Sequence, residues 1–125
     1  MMINISDNTY QIGVFGSGSA TPDVYKLGYE VGAEIGRQGH ILINGGMGGV
    51  MEASGHGATE AGGLVIGIMP GNDFSEGNPH SKVKVLTGMQ YARNFINALS
   101  CHGAVVVAGS SGTYEEARRI WEGRG

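Results

Sequence analysis

The chain has little of several features that define common protein classes, and each shortage excludes something. Cys101 is the one cysteine among 125 residues, so an internal disulfide cannot form. No apolar run approaches the roughly 20 residues that a membrane-spanning helix needs. The N-terminus lacks the basic and apolar regions of a signal peptide. We therefore expect a cytoplasmic protein in which Cys101 is a small buried residue.

Positive charge is also scarce. Eight lysines and arginines stand against eleven acidic residues, which gives a formal net charge of −3. This balance gives no electrostatic reason to expect nucleic acid or an anionic membrane as a partner. The four histidines show no metal-ligand spacing such as H-x-x-x-H, so no metal site is predicted. No lysine lies in a context that suggests a pyridoxal phosphate Schiff base, and no cofactor is expected.

Glycine, in contrast, is abundant, with 24 residues clustered at the ends of apolar runs. Glycine lets the backbone adopt positive φ or approach a ligand closely. Hydrophobic residues make up 41% of the chain, enough for a core, and residues 1–125 are expected to form one domain. Glycine at strand ends predicts a phospho-ligand site built largely from main chain.

Apolar runs alternate with helical patterns along the chain, which predicts an α/β fold with a parallel sheet covered on both faces. In such sheets ligands bind outside the carboxyl ends of the strands. The polar loop 71–81 is long enough to act as a lid, and its charged residues are expected to be mainly solvated. The predicted strands are Gln11–Phe15, His40–Ile43, Leu64–Ile68, Lys82–Leu86 and Gly103–Val107, and the predicted helices are Pro22–Arg37, Val50–Ala61, Met89–Cys101 and a last one opened by Thr113.

Three glycine-rich loops each follow a predicted strand, so all three should lie on one edge of the sheet. The first, Gly16-Ser17-Gly18, lacks the order of a dinucleotide fingerprint and of a P-loop. It is either a turn or a phosphate or base contact. The second includes Gly45, Gly46 and Gly48 and has more glycines than a turn needs. Its N–H groups can reach an anion, although tight helix–sheet packing is an alternative.

The third loop, Gly109-Ser110-Ser111-Gly112, follows an apolar run at 104–107 that is typical of a buried strand. It leads through Thr113 into a helix N-terminus, whose first N–H groups have no helical partner and attract anions. Glu116 lies inside the first turn of that helix. Thr113 and Glu116 also match a capping box, in which each side chain satisfies the backbone N–H of the other. The spacing is compatible both with a phosphate site that has an acid beside it and with a capping box.

Arg93 lies just after the fourth predicted strand, and Asn97 follows one helical turn later on the same face. A guanidinium can hold a phosphate with two donors. The alternative is an ordinary surface arginine.

These motifs, in this order over residues 11–122, resemble the Lonely Guy (LOG) superfamily, whose members were long called lysine decarboxylases. The resemblance is carried by residues 45–53, 62–70, 89–94 and 109–116. It implies a Rossmann-like three-layer α/β sandwich that forms a homodimer or higher homo-oligomer. Family members continue with at least one more strand and helix. We therefore expect this chain, which stops soon after Trp121, to have a shortened C-terminal part.

LOG enzymes are phosphoribohydrolases, which cleave the N-glycosidic bond of nucleoside 5′-monophosphates and release the base and ribose 5-phosphate. The resemblance implies that Gly109, Gly112 and Thr113 hold the phosphate, and that Arg93 and Glu116 are the catalytic pair. A carboxylate near C1′ would stabilise the positive charge that builds on the ribose as the base leaves.

The chain departs from the LOG signature, P-G-G-x-G-T-x-x-E with an upstream M-x-x-R-K. Ala108 and Ser110 replace the motif proline and second glycine, and Asn94 stands where LOG enzymes carry lysine. The pair Arg93-Asn94 resembles another branch, which includes molybdenum cofactor carrier proteins that bind a phosphorylated pterin. Two functions follow from the resemblance. One is a nucleoside 5′-monophosphate phosphoribohydrolase, and the alternative is a carrier or sensor of a phosphorylated heterocycle.

Overall fold

The computed structural model describes residues 5–107, which form strands and helices in alternation. In chain order the elements are β1 (Gln11–Phe15), α1 (Pro22–Arg37), β2 (Ile41–Asn44), α2 (Val50–Glu60), β3 (Val65–Met69), a 3₁₀ turn (Phe74–Glu76), β4 (Val83–Leu86), a second 3₁₀ turn (Gln90–Ala92), α3 (Arg93–Leu99) and β5 (Gly103–Val106).

The predicted bounds are confirmed to within one residue for all five strands and for α1 and α2. The predicted helix Met89–Cys101 is wrong in its first part, where a 3₁₀ turn precedes a seven-residue α-helix. Gln90 has a φ of 53°, a left-handed conformation that an α-helix of L-residues does not contain. Regular helix therefore starts only at Arg93. The last predicted helix, from Thr113, lies outside the described residues.

The five described strands are all parallel, in the order β4-β3-β2-β1-β5. This confirms the predicted α/β class. From β1 the chain builds outward through β2, β3 and β4, and then returns to place β5 on the other side of β1. The strand order thus reverses at β1. In this class of sheet, the crevice beyond the carboxyl ends at such a reversal is where ligands bind.

Helices cover both faces of the sheet, so the fold has three layers. On one face Leu42 of β2 packs with Ile35 of α1 and Val50 of α2. On the other face Ile43 of the same strand packs with Cys101, which follows α3. Cys101 is 3% exposed, as expected for a small buried residue.

The last described strand is only half buried, which corrects the prediction of a buried strand at 104–107. Val105 and Val107 pack against the core, whereas Val106 is 38% exposed. The reason is that β5 forms an edge of the sheet built by the described residues, and successive side chains of a strand point to opposite faces.

The helices α1 and α2 touch through their main chains. The buried face of α1 carries glycine at every fourth position from Gly28 to Gly36. A Cβ at Gly32 would lie 1.9 Å from the carbonyl oxygen of Ser54, and a Cβ at Gly57 of α2 would lie 2.0 Å from that of Tyr29. No carbon–oxygen contact is that short, so both helices need glycine where they meet.

We expect Gly32→Ala to destabilise the protein by about 1–3 kcal/mol, the usual cost of overpacking. The physical reason is the collision of the new methyl group with the Ser54 carbonyl oxygen. Helix propensity alone predicts the opposite change in stability, because alanine is about 1 kcal/mol more favourable than glycine in a helix interior. Chemical denaturation measures the free energy of unfolding of wild type and variant.

Gly103→Ala is the matched control, because no atom of residues 5–107 lies within 4 Å of a Cβ at that position and its φ is not left-handed. It should leave the free energy of unfolding unchanged or slightly raised. Equal effects of the two substitutions would contradict main-chain contact between α1 and α2.

Candidate functional site

Two of the three glycine-rich loops lie together at the carboxyl edge of the sheet, as predicted. The loop after β1 contacts the loop after β2, since the N–H of Val50 donates to the carbonyl oxygen of Ser17 at 3.0 Å. Gly49 has a φ of 63°, and a Cβ there would lie 2.3 Å from the same oxygen. The two loops therefore form one continuous main-chain surface.

The strand β5 ends at the same edge. Val106 pairs with Phe15 in the parallel register, and the N–H of Val107 donates to the carbonyl oxygen of Phe15 at 2.9 Å. The predicted third loop follows directly in sequence. Its candidate residues lie outside the described residues and their roles stay predictions: Gly109, Ser110, Ser111, Gly112, Thr113 and Glu116.

Close packing accounts for most glycines in the two described loops. A Cβ at Gly16 would lie 2.5 Å from the Val50 side chain, and one at Gly46 would lie 2.3 Å from the sulfur of Met69. Gly18 differs, because among the described residues the nearest atom to a Cβ there would be the Met51 methyl at 3.9 Å. Packing therefore explains Gly16 and Gly46, whereas packing within residues 5–107 does not require glycine at position 18.

Asn44, fully buried at the end of β2, shapes the second loop. Its Oδ1 accepts a hydrogen bond from the N–H of Gly46 at 2.8 Å. Its Nδ2 donates to the carbonyl oxygen of Met51 at 2.9 Å and to the Ser54 hydroxyl at 3.2 Å. One side chain thus joins the start of the loop to the first turns of α2. Sequence reasoning missed this role, although asparagine directly before two glycines at a strand end favours such a turn.

A second asparagine, Asn78, holds the loop from the side of the segment 71–81. Its N–H donates to the carbonyl oxygen of Gly46 at 2.9 Å, and its Nδ2 donates to that of Met47 at 2.7 Å. Asn78 is 8% exposed. The segment interpreted as a lid is therefore attached to the second loop by a buried polar side chain, which sequence reasoning did not identify.

Held in this way, the second loop presents main-chain donors. The N–H of Gly46 is used by Asn44 and that of Val50 by Ser17. Within residues 5–107, no acceptor is found for the N–H groups of residues 47–49. Successive N–H groups beside the start of a helix make an anion-binding concavity. The described part of the edge therefore has the donors that a phosphate needs.

Arg93 lies against the same loop and is only 9% exposed. Its Nε donates to the carbonyl oxygen of Ile68 at 3.0 Å, and its Nη1 donates to Oδ1 of Asn94. A Cβ at Gly45 would lie 2.6 Å from Nη2, so the loop rests on the guanidinium. The structure thus excludes the surface-arginine alternative and brings Arg93 and Asn94 together. Asn97, one turn further, is also buried.

The acidic residues of the segment 71–81 have structural rather than site positions. Asp73 begins the 3₁₀ turn, and its carboxylate accepts hydrogen bonds from the N–H and the hydroxyl of Ser75. These bonds lower the pKa of Asp73. Glu76 is exposed, as expected for a solvated side chain. Among the described residues no three His, Cys, Asp or Glu side chains are placed to hold a metal ion. None of the helices in that part of the chain is long and apolar enough to span a bilayer.

We expect Asn44→Ala to cost about 1–3 kcal/mol of stability for each buried polar group left without a partner. It should also lower the hydrogen-exchange protection of the amide of Gly46, because that amide loses its acceptor. Urea denaturation and amide exchange measure the two effects. Asn72→Ala, at an exposed position of the neighbouring segment, is the control and should change neither. Unaltered protection in Asn44→Ala would show that the loop does not depend on this side chain.

Comparison with known proteins places this geometry in a family. A model of the SLOG cluster4 family matches residues 9–124. An uncharacterised protein of Archaeoglobus fulgidus is 43% identical over 111 residues, which cover 85% of this chain and 70% of that protein.

Solved structures agree with this assignment. The molybdenum cofactor binding protein of the phototrophic bacterium Rippkaea orientalis is 34% identical, with a TM-score of 0.86 over 93% of this chain and 72% of its own. The Moco carrier protein of Chlamydomonas reinhardtii is 32% identical, with a TM-score of 0.83 over 94% and 72%. DNA processing protein A of Helicobacter pylori, at 14% identity and a TM-score of 0.73, shares the fold alone. The chain therefore belongs to the SLOG cluster4 family, within the LOG superfamily and near its molybdenum cofactor carrier branch.

Proposed function

We propose that this protein binds a phosphorylated heterocycle at the glycine-rich edge of its sheet and carries it without cleaving it. The observation that carries the proposal is the similarity to proteins described as molybdenum cofactor binding and carrier proteins, at 32–34% identity over 93–94% of this chain. The molybdenum cofactor, a phosphorylated pterin, is therefore the first ligand to test. In this proposal the cofactor is the cargo of the protein and takes no part in a reaction.

The described edge supplies two kinds of phosphate contact. The N–H groups of residues 47–49 offer donors from the main chain, and Gly18 leaves room for the ligand to approach the first loop. Arg93 adds a positive charge whose position is set by its bond to the Ile68 carbonyl oxygen. Hydrogen bonds to charged groups contribute about 1.5–3 kcal/mol each. The predicted third loop, from Gly109 to Thr113, would complete the cradle.

The anion is bound by local donors and not by the charge of the whole molecule. The formal net charge of −3 repels a phosphate weakly at long range. Close to the edge, a guanidinium shielded from water acts more strongly on an anion than an exposed one, because the effective dielectric constant is lower. The burial of Arg93 therefore supports a binding role better than its sequence position did.

The second candidate function is the phosphoribohydrolase activity of LOG enzymes. It is favoured by the position of Arg93 at the site and by the spacing of Thr113 and Glu116, which matches the LOG motif. In this mechanism Glu116 stabilises the positively charged ribosyl group as the base departs. Asn94, bonded to Arg93, stands where LOG enzymes carry lysine, and this departure favours the carrier.

The homo-oligomer implied by the family resemblance stays a prediction. The face of α3 that points away from the sheet exposes Phe95 and Leu99, at 54% and 58%. These two side chains, one helical turn apart, form the surface proposed here for that contact.

We expect Arg93→Lys to weaken binding of the molybdenum cofactor by at least about tenfold, or 1.4 kcal/mol. A lysine has no rigid fork with which to contact the Ile68 carbonyl, Asn94 and an anion together. Isothermal titration or fluorescence measures the dissociation constant. Arg37→Lys is the control. Arg37 pairs with Glu34 at an exposed position at the end of α1. The next strand, β2, begins there with its amino end, so Arg37 lies at the edge of the sheet opposite the candidate site. Equal weakening by both substitutions, or wild-type affinity in Arg93→Lys, would remove Arg93 from the site.

The carrier proposal predicts no free base when a panel of nucleoside 5′-monophosphates is incubated with the protein and analysed by HPLC. Glu116→Gln is assayed beside the wild type. Release of base by the wild type, with a loss of at least about 10²-fold in the variant, would replace the carrier by the phosphoribohydrolase. Release at equal rates by both proteins would contradict the catalytic role of Glu116.

A further inference from the structure

The segment 71–81 is fastened to α2 by two stacked histidines. The ring of His80 lies over that of His56, with the ring centroids 4.5 Å apart and the planes 17° from parallel. The hydroxyl of Thr59 donates to the carbonyl oxygen of His80 at 3.1 Å. The segment is therefore attached to α2 through both the side chain and the main chain of His80.

His56 is itself held from two sides, so it offers a rigid surface for the stack. Its Nδ1 lies 3.2 Å from the hydroxyl of Tyr25, and its Nε2 lies 2.8 Å from Oε1 of Glu60. The hydroxyl of Tyr29 donates to the other oxygen of the same carboxylate at 2.5 Å. Both tyrosines belong to α1, so the stack joins the segment to the pair of helices that glycine packs together.

A short chain of contacts leads from this stack to the candidate site. The N–H of His80 donates to Oδ1 of Asn78 at 2.9 Å. Asn78 in turn donates from its N–H to Gly46 and from its Nδ2 to Met47. The side chain that holds the second glycine-rich loop is thus oriented by the residue that stacks on His56.

We propose that His80 is a positioning residue for the second glycine-rich loop, and that protonation of its ring releases the loop. While the ring is neutral, its stack on His56 keeps Asn78 against residues 46 and 47. A charged ring separates from the stack and the contacts of Asn78 loosen, so mild acid weakens ligand binding. The statement about the ligand rests on the proposed function, whereas the statement about the loop does not.

The charged and titratable groups around His80 support this direction. Burial and the neighbouring His56 lower the pKa of His80, and together they outweigh Glu52 and Glu60, which raise it. The two tyrosines of α1 also face this cluster. Hydrogen bonds from Tyr29 and His56 lower the pKa of Glu60, so its carboxylate stays charged.

The sign of the pH dependence follows from this lowered pKa. His80 binds a proton more readily when the segment is unfolded or released than when its ring is stacked on His56. The stabilisation that comes from the stack of His80 on His56 is therefore complete above the ordinary histidine pKa of about 6.5 and is lost as the pH falls below it. Loosening on acidification is the expected outcome.

Amide hydrogen exchange of the full chain tests the proposal at two pH values, about 8 and about 5.5, on either side of the ordinary histidine pKa. Protection factors, corrected for the intrinsic pH dependence of exchange, are compared for residues 45–49 and 78–80. In the wild type they should fall several-fold in acid, because the released segment binds the proton that the stacked ring disfavours. In His80→Phe, which keeps an aromatic ring for the stack but does not titrate, they should not change with pH.

His40, His56 and His102 remain in His80→Phe and control for other effects of acid on the protein. An equal fall in wild type and variant, or constant protection in the wild type, would overturn the proposal. Binding of adenosine 5′-monophosphate and of the molybdenum cofactor is measured in parallel. Protonation of the phosphate weakens binding to both proteins in acid, so the proposal predicts a larger loss in the wild type than in His80→Phe. If neither probe binds at any pH, the proposed function fails. The exchange result still decides whether the stack of His80 on His56 holds the second glycine-rich loop.

Discussion

The contact between the main chains of α1 and α2 is the constraint on which the rest of the structure depends. Because Gly32 and Gly57 have no side chains, each helix approaches a carbonyl oxygen of the other more closely than any Cβ would allow. The distance between the helices is then set by backbone geometry and has little freedom to vary. The start of α2 consequently lies against the loop after β1, where Val50 bonds to Ser17.

Two buried asparagines fix the conformation of the second glycine-rich loop, which precedes α2. Glycine permits the close approaches of the loops but does not select one conformation, since it loses more conformational freedom on folding than any other residue. Asn44 and Asn78 select one conformation by bonding to the main chain of Gly46 and Met47. A buried amide without a partner is costly, so these side chains favour the one arrangement of the loop that satisfies their hydrogen bonds.

A binding site made of main-chain groups is recognised from the fold and not from particular side chains. In both proposed functions the ligand presents a phosphate to this edge, so the edge by itself does not distinguish them. The difference lies in a few side chains, above all Glu116 and the pair Arg93-Asn94. Their chemistry, and not the glycine-rich loops, distinguishes the two proposed functions. The proposed role of His80 adds a control that acts through the second loop.

The sequence by itself determined the order of strands and helices, the parallel sheet and the shared edge of the first two loops. These properties depend on local patterns, namely apolar runs, helical spacing and glycine after each strand. Tertiary structure alone decided that Arg93 is buried against Gly45 and that Asn78 reaches Met47, 31 residues away. The left-handed backbone of Gln90, which delays the start of α3, was also hidden in the sequence. Contacts between residues far apart in the chain leave no local pattern, so only the packed fold specifies them.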